Sequence, residues 1–169
     1  MIKNVGGAEI KAKHRASCHC GAVILELDLP NGIVDPRRCD CSMCRRKGTI
    51  VASVALAGIT IIQGEEALIL YQFNTKTAKH YFCSHCGIYT HHQRRSNPTQ
   101  FGYNVGCLEG VDPFDLGAVP TYDGVNHPAD HNKREYLTHL LRRYFCCLSE
   151  AVGENLFELG GDANLIFRI

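Results

Sequence analysis

Ala67-Leu68-Ile69-Leu70-Tyr71-Gln72-Phe73-Asn74-Thr75-Lys76-Thr77-Ala78-Lys79-His80-Tyr81-Phe82-Cys83-Ser84-His85-Cys86-Gly87 is the stretch that decides the fold. Residues 67–73 and 77–83 are β-prone runs separated by Asn74-Thr75-Lys76, a turn composition, so the stretch reads as a hairpin. Its second arm ends in Cys-x-x-Cys-Gly, the pattern of a metal knuckle whose glycine tolerates the positive φ of the turn. Two sulfurs do not complete a tetrahedron. The missing pair stands more than sixty residues earlier, in Cys18-His19-Cys20-Gly21. Cys18, Cys20, Cys83 and Cys86 together meet zinc's preference for four soft ligands and predict a closed, structural site. That site would pin the N-terminal strands to the hairpin.

A third cluster, Cys39-Asp40-Cys41-Ser42-Met43-Cys44, brings three thiols within six residues. Asp40 points away if Cys39 and Cys41 bind, so the trio predicts an ion with one open position. Closed zinc sites hold folds together and open ones do chemistry. The alternative is a distant histidine, His91, His92 or His127, that closes the site and makes it structural too.

Around these clusters the pattern is mainly β. Residues 8–29 read as two strands about the first knuckle, ended by Pro30-Asn31-Gly32, and 42–47 as one helical turn. Residues 50–56, 59–62, 88–92 and 101–105 are further strands, and 106–131, rich in Pro, Gly and Asp, reads as extended loop. Leu137, Leu140, Leu141, Tyr144, Phe145, Leu148 and Val152 recur at helical spacing, with Gly153 as the stop. The expected organisation is a zinc-binding domain over 12–130 and a helical extension over 131–169.

Composition narrows the function. A chain of 169 residues, 45% hydrophobic and 21% charged, is ordinary for one soluble domain. Its formal net charge of +1 gives no broad basic field for nucleic acid. No apolar leader and no membrane-length apolar run is present, and ten cysteines suit a reducing cytoplasm, where they stay thiols or thiolates. A disulfide framework is the competing use of that cysteine count, but the glycine-ended knuckles suit metal better. Three thiolates on a divalent zinc leave one negative charge, a weak Lewis acid for making hydroxide but a good seat for another thiol. The chemistry this favours is transfer of a thiol to an electrophilic carbon. Cys107, Cys146 and Cys147 read as packing residues, His19 and His85 as shields of their knuckles, and Tyr71, Tyr81, Tyr89 and Tyr103 as core or rim.

Cys18-His19-Cys20-Gly21-Ala22-Val23, Cys39-Asp40-Cys41-Ser42-Met43-Cys44-Arg45-Arg46-Lys47-Gly48, Phe73-Asn74-Thr75, Phe82-Cys83-Ser84-His85-Cys86-Gly87, Arg95-Ser96-Asn97-Pro98 and Cys107-Leu108 occur in this order. This series resembles the glutathione-dependent formaldehyde-activating enzyme family, which also includes centromere protein V, over about residues 12–130. The resemblance implies a mainly β, Mss4-like zinc-binding fold, here with an added C-terminal helix. It implies two zinc ions, a structural one on Cys18, Cys20, Cys83 and Cys86 and a catalytic one on Cys39, Cys41 and Cys44. The implied reaction is of the carbon–sulfur lyase type: a zinc-activated thiol, glutathione, adds to formaldehyde or a small aldehyde and gives the S-hydroxymethyl adduct. Arg45, Arg46 and Lys47 would then hold the carboxylates of the thiol, with a solvated basic turn as the plainer reading, and Arg94 and Arg95 could serve likewise. The alternative function is a non-catalytic zinc module that contacts a protein or nucleic-acid partner. An oligomer formed through the C-terminal helix is compatible with both.

Overall fold

The chain opens with a two-strand ribbon, β1 (Asn4–Val5) and β2 (Ala8–Glu9), joined to the body where Ile2 and Ile33 exchange backbone hydrogen bonds of 2.9 and 2.8 Å. In β3 (Lys13–Ser17) and β4 (Ile24–Asp28) side chains alternate: His14, Ala16, Leu25 and Leu27 are buried, whereas Lys13 and Arg15 are exposed. That period of two marks a sheet with one wet face. A third strand, β7 (Ile59–Gln63), completes this sheet in the order β3-β4-β7.

The larger sheet comprises β5 (Val34–Cys39), β6 (Val51–Ala55), β8 (Leu68–Tyr71), β9 (Lys79–Cys83), β10 (Tyr89–Gln93), β11 (Gln100–Asn104) and β12 (Thr121–Tyr122), in the order β12-β5-β6-β11-β10-β9-β8. One helical turn, α1 (Cys44–Lys47), lies between β5 and β6. These elements form a mainly β fold in a computed structural model that describes residues 1–127, of which Met1–Val125 make up one compact unit. The expected helix over 137–152, and with it the extension over 131–169, lies outside the described residues. Among the described residues no helix is long and apolar enough to cross a membrane.

Both sheets feed one core. Leu25 and Leu27 join Ala52, Val54, Tyr103 and Val105 in a single buried cluster, each large apolar side chain contributing about 1.5–3 kcal/mol by leaving water. Two adjacent register rows of the large sheet face opposite ways. Ala52, Tyr103, His91, Tyr81 and Leu70 lie directly opposite one another across five strands, and Ala52, Tyr103 and His91 are buried. The neighbouring row, Val34, Ser53, Gly102, His92, His80 and Tyr71, crosses six strands on the other face. That second row is the floor on which the site is built.

Three departures from the expected elements have local causes. The strand β5 was not expected, because Pro36 interrupts the pattern and Asp35 adopts φ 55°, with a register shift in its pairing to β6. The hairpin 67–83 forms as expected, but its paired arms shorten to β8 and β9 around a longer turn in which Asn74 and Lys76 have positive φ. Residues 106–127 are not all loop: Val105–Cys107 and Pro113–Leu116 are 3-10 turns, the second capped by the Asp112 carboxylate, and β12 pairs in parallel with β5.

Candidate functional site

The closed cluster is assembled as its spacing demands. Cys83 ends β9, Cys86 follows in the turn, and Gly87 takes φ 71° there; Cys18 and Cys20 lie in the β3–β4 connection, where Gly21 takes φ 76°. The four sulfurs lie within 4.8 Å of one another, with Cys18 Sγ to Cys20 Sγ at 3.6 Å and Cys20 Sγ to Cys83 Sγ at 3.7 Å. A tetrahedron with zinc–sulfur arms of about 2.3 Å has edges of roughly 3.8 Å, so the cage fits that ion. The Val23 N–H donates to Cys18 Sγ at 3.3 Å, and backbone N–H donation around Ile88 helps pull the Cys86 thiol down to about 6, toward the thiolate a metal needs. Among the described residues no disulfide forms.

The second cluster sits at the junction of β5 and α1. Cys39 is the last residue of β5, Cys44 opens α1, and the sulfurs of Cys39, Cys41 and Cys44 again lie within 4.8 Å. The Cys44 N–H donates to Cys41 Sγ at 3.4 Å, and hydrogen bonds from the Cys39 and Cys44 thiols hold the Cys41 thiol far below its ordinary value. The contact with Cys41, with burial, pushes Cys39 up, and the contacts with Cys39 and then Cys41, with burial, push Cys44 up. Three sulfurs this close repel one another as thiolates, and a divalent cation between them relieves that repulsion.

No fourth histidine, cysteine, aspartate or glutamate joins this trio among the described residues. Asp40 turns away: its Oδ1 accepts from the N–H groups of Gly124 and Val125 at 2.7 and 3.2 Å. These bonds and the pairing of Tyr122 with Cys39 lay 121–125 along the trio as a strap. The approach is so close that a Cβ on Gly124 would lie 2.5 Å from Cys39 Sγ and 2.7 Å from Cys41 Cβ.

Beside the trio lies a floor of rings. His80 and His92 stack at 5.1 Å between centroids, Phe73 stacks on His80 at 5.8 Å, and Tyr71 stacks on Phe73 at 5.8 Å. Gly102 makes room for this, since a Cβ there would strike His92 Cε1 at 2.4 Å. The Tyr89 hydroxyl bonds both His92 Nδ1 and the Gly102 carbonyl, and burial pushes its pKa well up. Above the Tyr89 ring, at 3.5 Å from its centroid, stands Lys47 Nζ. Burial lowers the pKa of Lys47 while the Cys44, Cys41 and Cys39 thiols oppose that shift, and burial with the Lys47 charge takes His80 down to about 4.

A second polar group borders the same face. The Asp35 Oδ2 accepts from Arg37 Nη1 at 2.6 Å and Ser53 Oγ at 3.1 Å, and Arg94 Nη1 reaches it at 3.5 Å. Its Oδ1 accepts from the Tyr122 hydroxyl at 2.8 Å. Two guanidinium groups on one carboxylate leave a surplus positive charge, felt by His92 together with that of Lys47.

The structure therefore separates residues that lie together in the sequence. Arg45 and Arg46 are exposed, with Arg46 Nη1 donating to the Ser42 carbonyl at 2.6 Å, whereas Lys47 turns inward over Tyr89. Arg94 belongs to the Asp35 group, and Arg95 is half-buried. His91 is on the core side, stacked on Tyr81 at 4.5 Å, and does not join the trio. Cys107 is buried and donates to the Tyr89 carbonyl at 3.7 Å, a packing role as expected, and His19 and His85 are exposed beside their knuckles. Sequence reading missed His80, Tyr89 and Gly124 as neighbours of the trio. The register of six strands brings His80 there, Tyr89 comes with the register shift in β10, and Gly124 arrives from more than eighty residues away.

Comparison with known proteins agrees with this architecture. The model of the family described as glutathione-dependent formaldehyde-activating enzyme matches residues 13–120, more than half of the chain. A crystal structure of a Rhodobacter sphaeroides protein, a structural genomics target, is similar at 59% sequence identity with a TM-score of 0.62. The match covers 64% of this chain and 99% of that one.

Proposed function

The chain belongs to the glutathione-dependent formaldehyde-activating enzyme family, and from that premise we propose that it joins a thiol to a small aldehyde at the Cys39–Cys41–Cys44 trio. The reaction is of the carbon–sulfur lyase type: glutathione and formaldehyde, or a similar aldehyde, give the S-hydroxymethyl adduct. One observation carries this reading. Three sulfurs converge on one point, and among the described residues no fourth side chain closes the set.

Zinc on Cys39, Cys41 and Cys44 would supply a position that takes an incoming thiol as its thiolate and keeps it nucleophilic. The chain's own groups do the rest. The exposed Arg45 and Arg46 stand at the rim, in the same helical turn as Cys44, where they can meet the carboxylates of glutathione. The strap 121–125 and the buried Tyr89 wall the trio and keep bulk water from part of it. A second zinc on Cys18, Cys20, Cys83 and Cys86 would be structural, because it closes a loop of more than sixty residues and has no free position. Both ions need reduced thiols, which supports a cytoplasmic setting.

The test is exchange NMR on mixtures of glutathione and formaldehyde. Zinc-loaded protein at a small fraction of the substrate concentration should speed interconversion of free aldehyde and adduct. Exchange unaltered by protein would remove the enzymatic reading.

A further inference from the structure

Four buried polar side-chain atoms have no hydrogen-bond partner among the described residues, and two of them, Lys47 Nζ and His80 Nδ1, lie on the face that carries the trio. Leaving such atoms unsatisfied forfeits their hydration without return, most of all for a charged group, so their persistence calls for an explanation. Packing alone does not provide one. The Lys47 ammonium has the Tyr89 ring on one side at 3.5 Å, which engages its charge but none of its three hydrogens conventionally. The His80 side chain belongs to a residue only 4% exposed, and its ring lies 6.5 Å from that of Tyr89.

Helical geometry aims the lysine. Lys47 stands three residues after Cys44 in α1, so both side chains leave the turn on one face. Arg45 and Arg46 leave on others and stay in water. The single inward cation of the basic run is therefore the one beside the sulfurs, and it is too enclosed to serve as a carboxylate anchor at the rim.

Resting on the thiol–aldehyde reading above, we propose that Lys47 Nζ receives the aldehyde oxygen and stabilises it as negative charge develops. A sulfur lone pair forms the new carbon–sulfur bond and the carbonyl π pair moves on to oxygen. Lys47 donates a hydrogen bond to that oxygen and keeps its own protons. The oxygen then takes a proton from water, matching the proton that the thiol released on binding. His80 Nδ1, the other unpartnered atom of this face, is available to the hydroxyl so formed. The ligand class is a carbonyl compound small enough to fit between the trio and Tyr89.

The experiment uses zinc-loaded wild type, Lys47→Met and Lys47→Arg, the first keeping most of the stem and the second keeping the charge. Removing one preorganised donor to an oxyanion typically costs 10²–10³ in kcat, so K47M should lose about a hundredfold in kcat. KM for glutathione and zinc per chain should match wild type, and K47R should recover part of the loss. A separate readout needs no turnover: calorimetry with S-(2-hydroxyethyl)glutathione and its methyl isostere S-propylglutathione. Wild type should prefer the hydroxyl compound by about tenfold, roughly one hydrogen bond, and K47M should not. An unchanged kcat in K47M, or the same hydroxyl preference in both proteins, overturns the proposal while leaving the thiol–aldehyde reading intact. A raised KM for glutathione at unchanged kcat reassigns Lys47 to the carboxylates, and lost zinc reassigns it as a countercharge to the thiolates; either overturns it. Wild type that neither speeds adduct exchange nor binds either glutathione derivative takes down the parent reading and this one together.

Discussion

Replacing Gly124 by alanine tests whether the strap sets the grip of the trio on its ion. The added Cβ would stand 2.5 Å from Cys39 Sγ, 2.7 Å from Cys41 Cβ and 3.2 Å from the Cys41 nitrogen. Ordinary carbon contacts settle at about 3.5–4.0 Å, so something must move by roughly an ångström. Neither near neighbour is the free end of a long side chain. If the sulfur yields, the ligand geometry is spoiled; if the strap lifts, the Asp40 bonds to Gly124 and Val125 are lost. Overpacking of this kind costs about 1–3 kcal/mol, equivalent to roughly a 5- to 150-fold weaker hold on the ion. Stepwise competition with a chromogenic zinc chelator reads this directly, with the Cys18–Cys20–Cys83–Cys86 ion as reference within the same molecule. Gly106→Ala is the control, since its Cβ would meet nothing nearer than 3.4 Å. Equal affinity of the trio in G124A and wild type would refute the reasoning.

Three further outcomes follow. Cys41→Ser should lower zinc content from two ions to one with the near-native circular dichroism kept, whereas Cys83→Ser should cost the cooperative fold; elemental analysis and thermal melts separate the two. Asp35→Ala removes the carboxylate that balances Arg37, whose side chain is 7% exposed, and should destabilise the domain by roughly 3 kcal/mol, the low end for breaking a buried pair; denaturant titration at saturating zinc measures it. Burial lowers the His91 pKa to about 4 from an ordinary 6.5, so the unfolded chain takes up that proton first as pH falls. Wild type should therefore lose up to about 3 kcal/mol more than His91→Gln between pH 6.5 and 4, and no difference above pH 7 should be seen by urea denaturation.

The cysteine clusters were legible because their chemistry is local. Two knuckles and a trio each declare themselves within six residues, and a four-ligand ion then requires that the knuckles meet. The 67–83 hairpin was legible for a similar reason, through β-prone arms and a turn between them. By contrast, β5 was hidden by Pro36 and by the left-handed backbone of Asp35, whose carboxylate is held by Arg37, Ser53, Arg94 and Tyr122. The ring row was hidden because it follows the register of six strands, and register is a property of pairing that no single stretch contains. His91 and His92 show the limit sharply: adjacent in sequence, they face opposite sides of the sheet. Lys47 was read only as one of a basic run with Arg45 and Arg46, and its separation from them needed the Tyr89 ring.

The two clusters differ in how much chain they span, and a polypeptide leaving the ribosome meets that difference in time. The trio is complete once six consecutive residues have emerged, so it can seize an ion while most of the domain is still unmade. The quartet must wait until Cys86 has been added, and both halves of the β scaffold must then find each other. Metal supply during synthesis therefore acts on the two clusters at different moments. If both clusters take metal, scarcity late in translation would leave a nascent chain loaded at the trio and unfastened at the quartet.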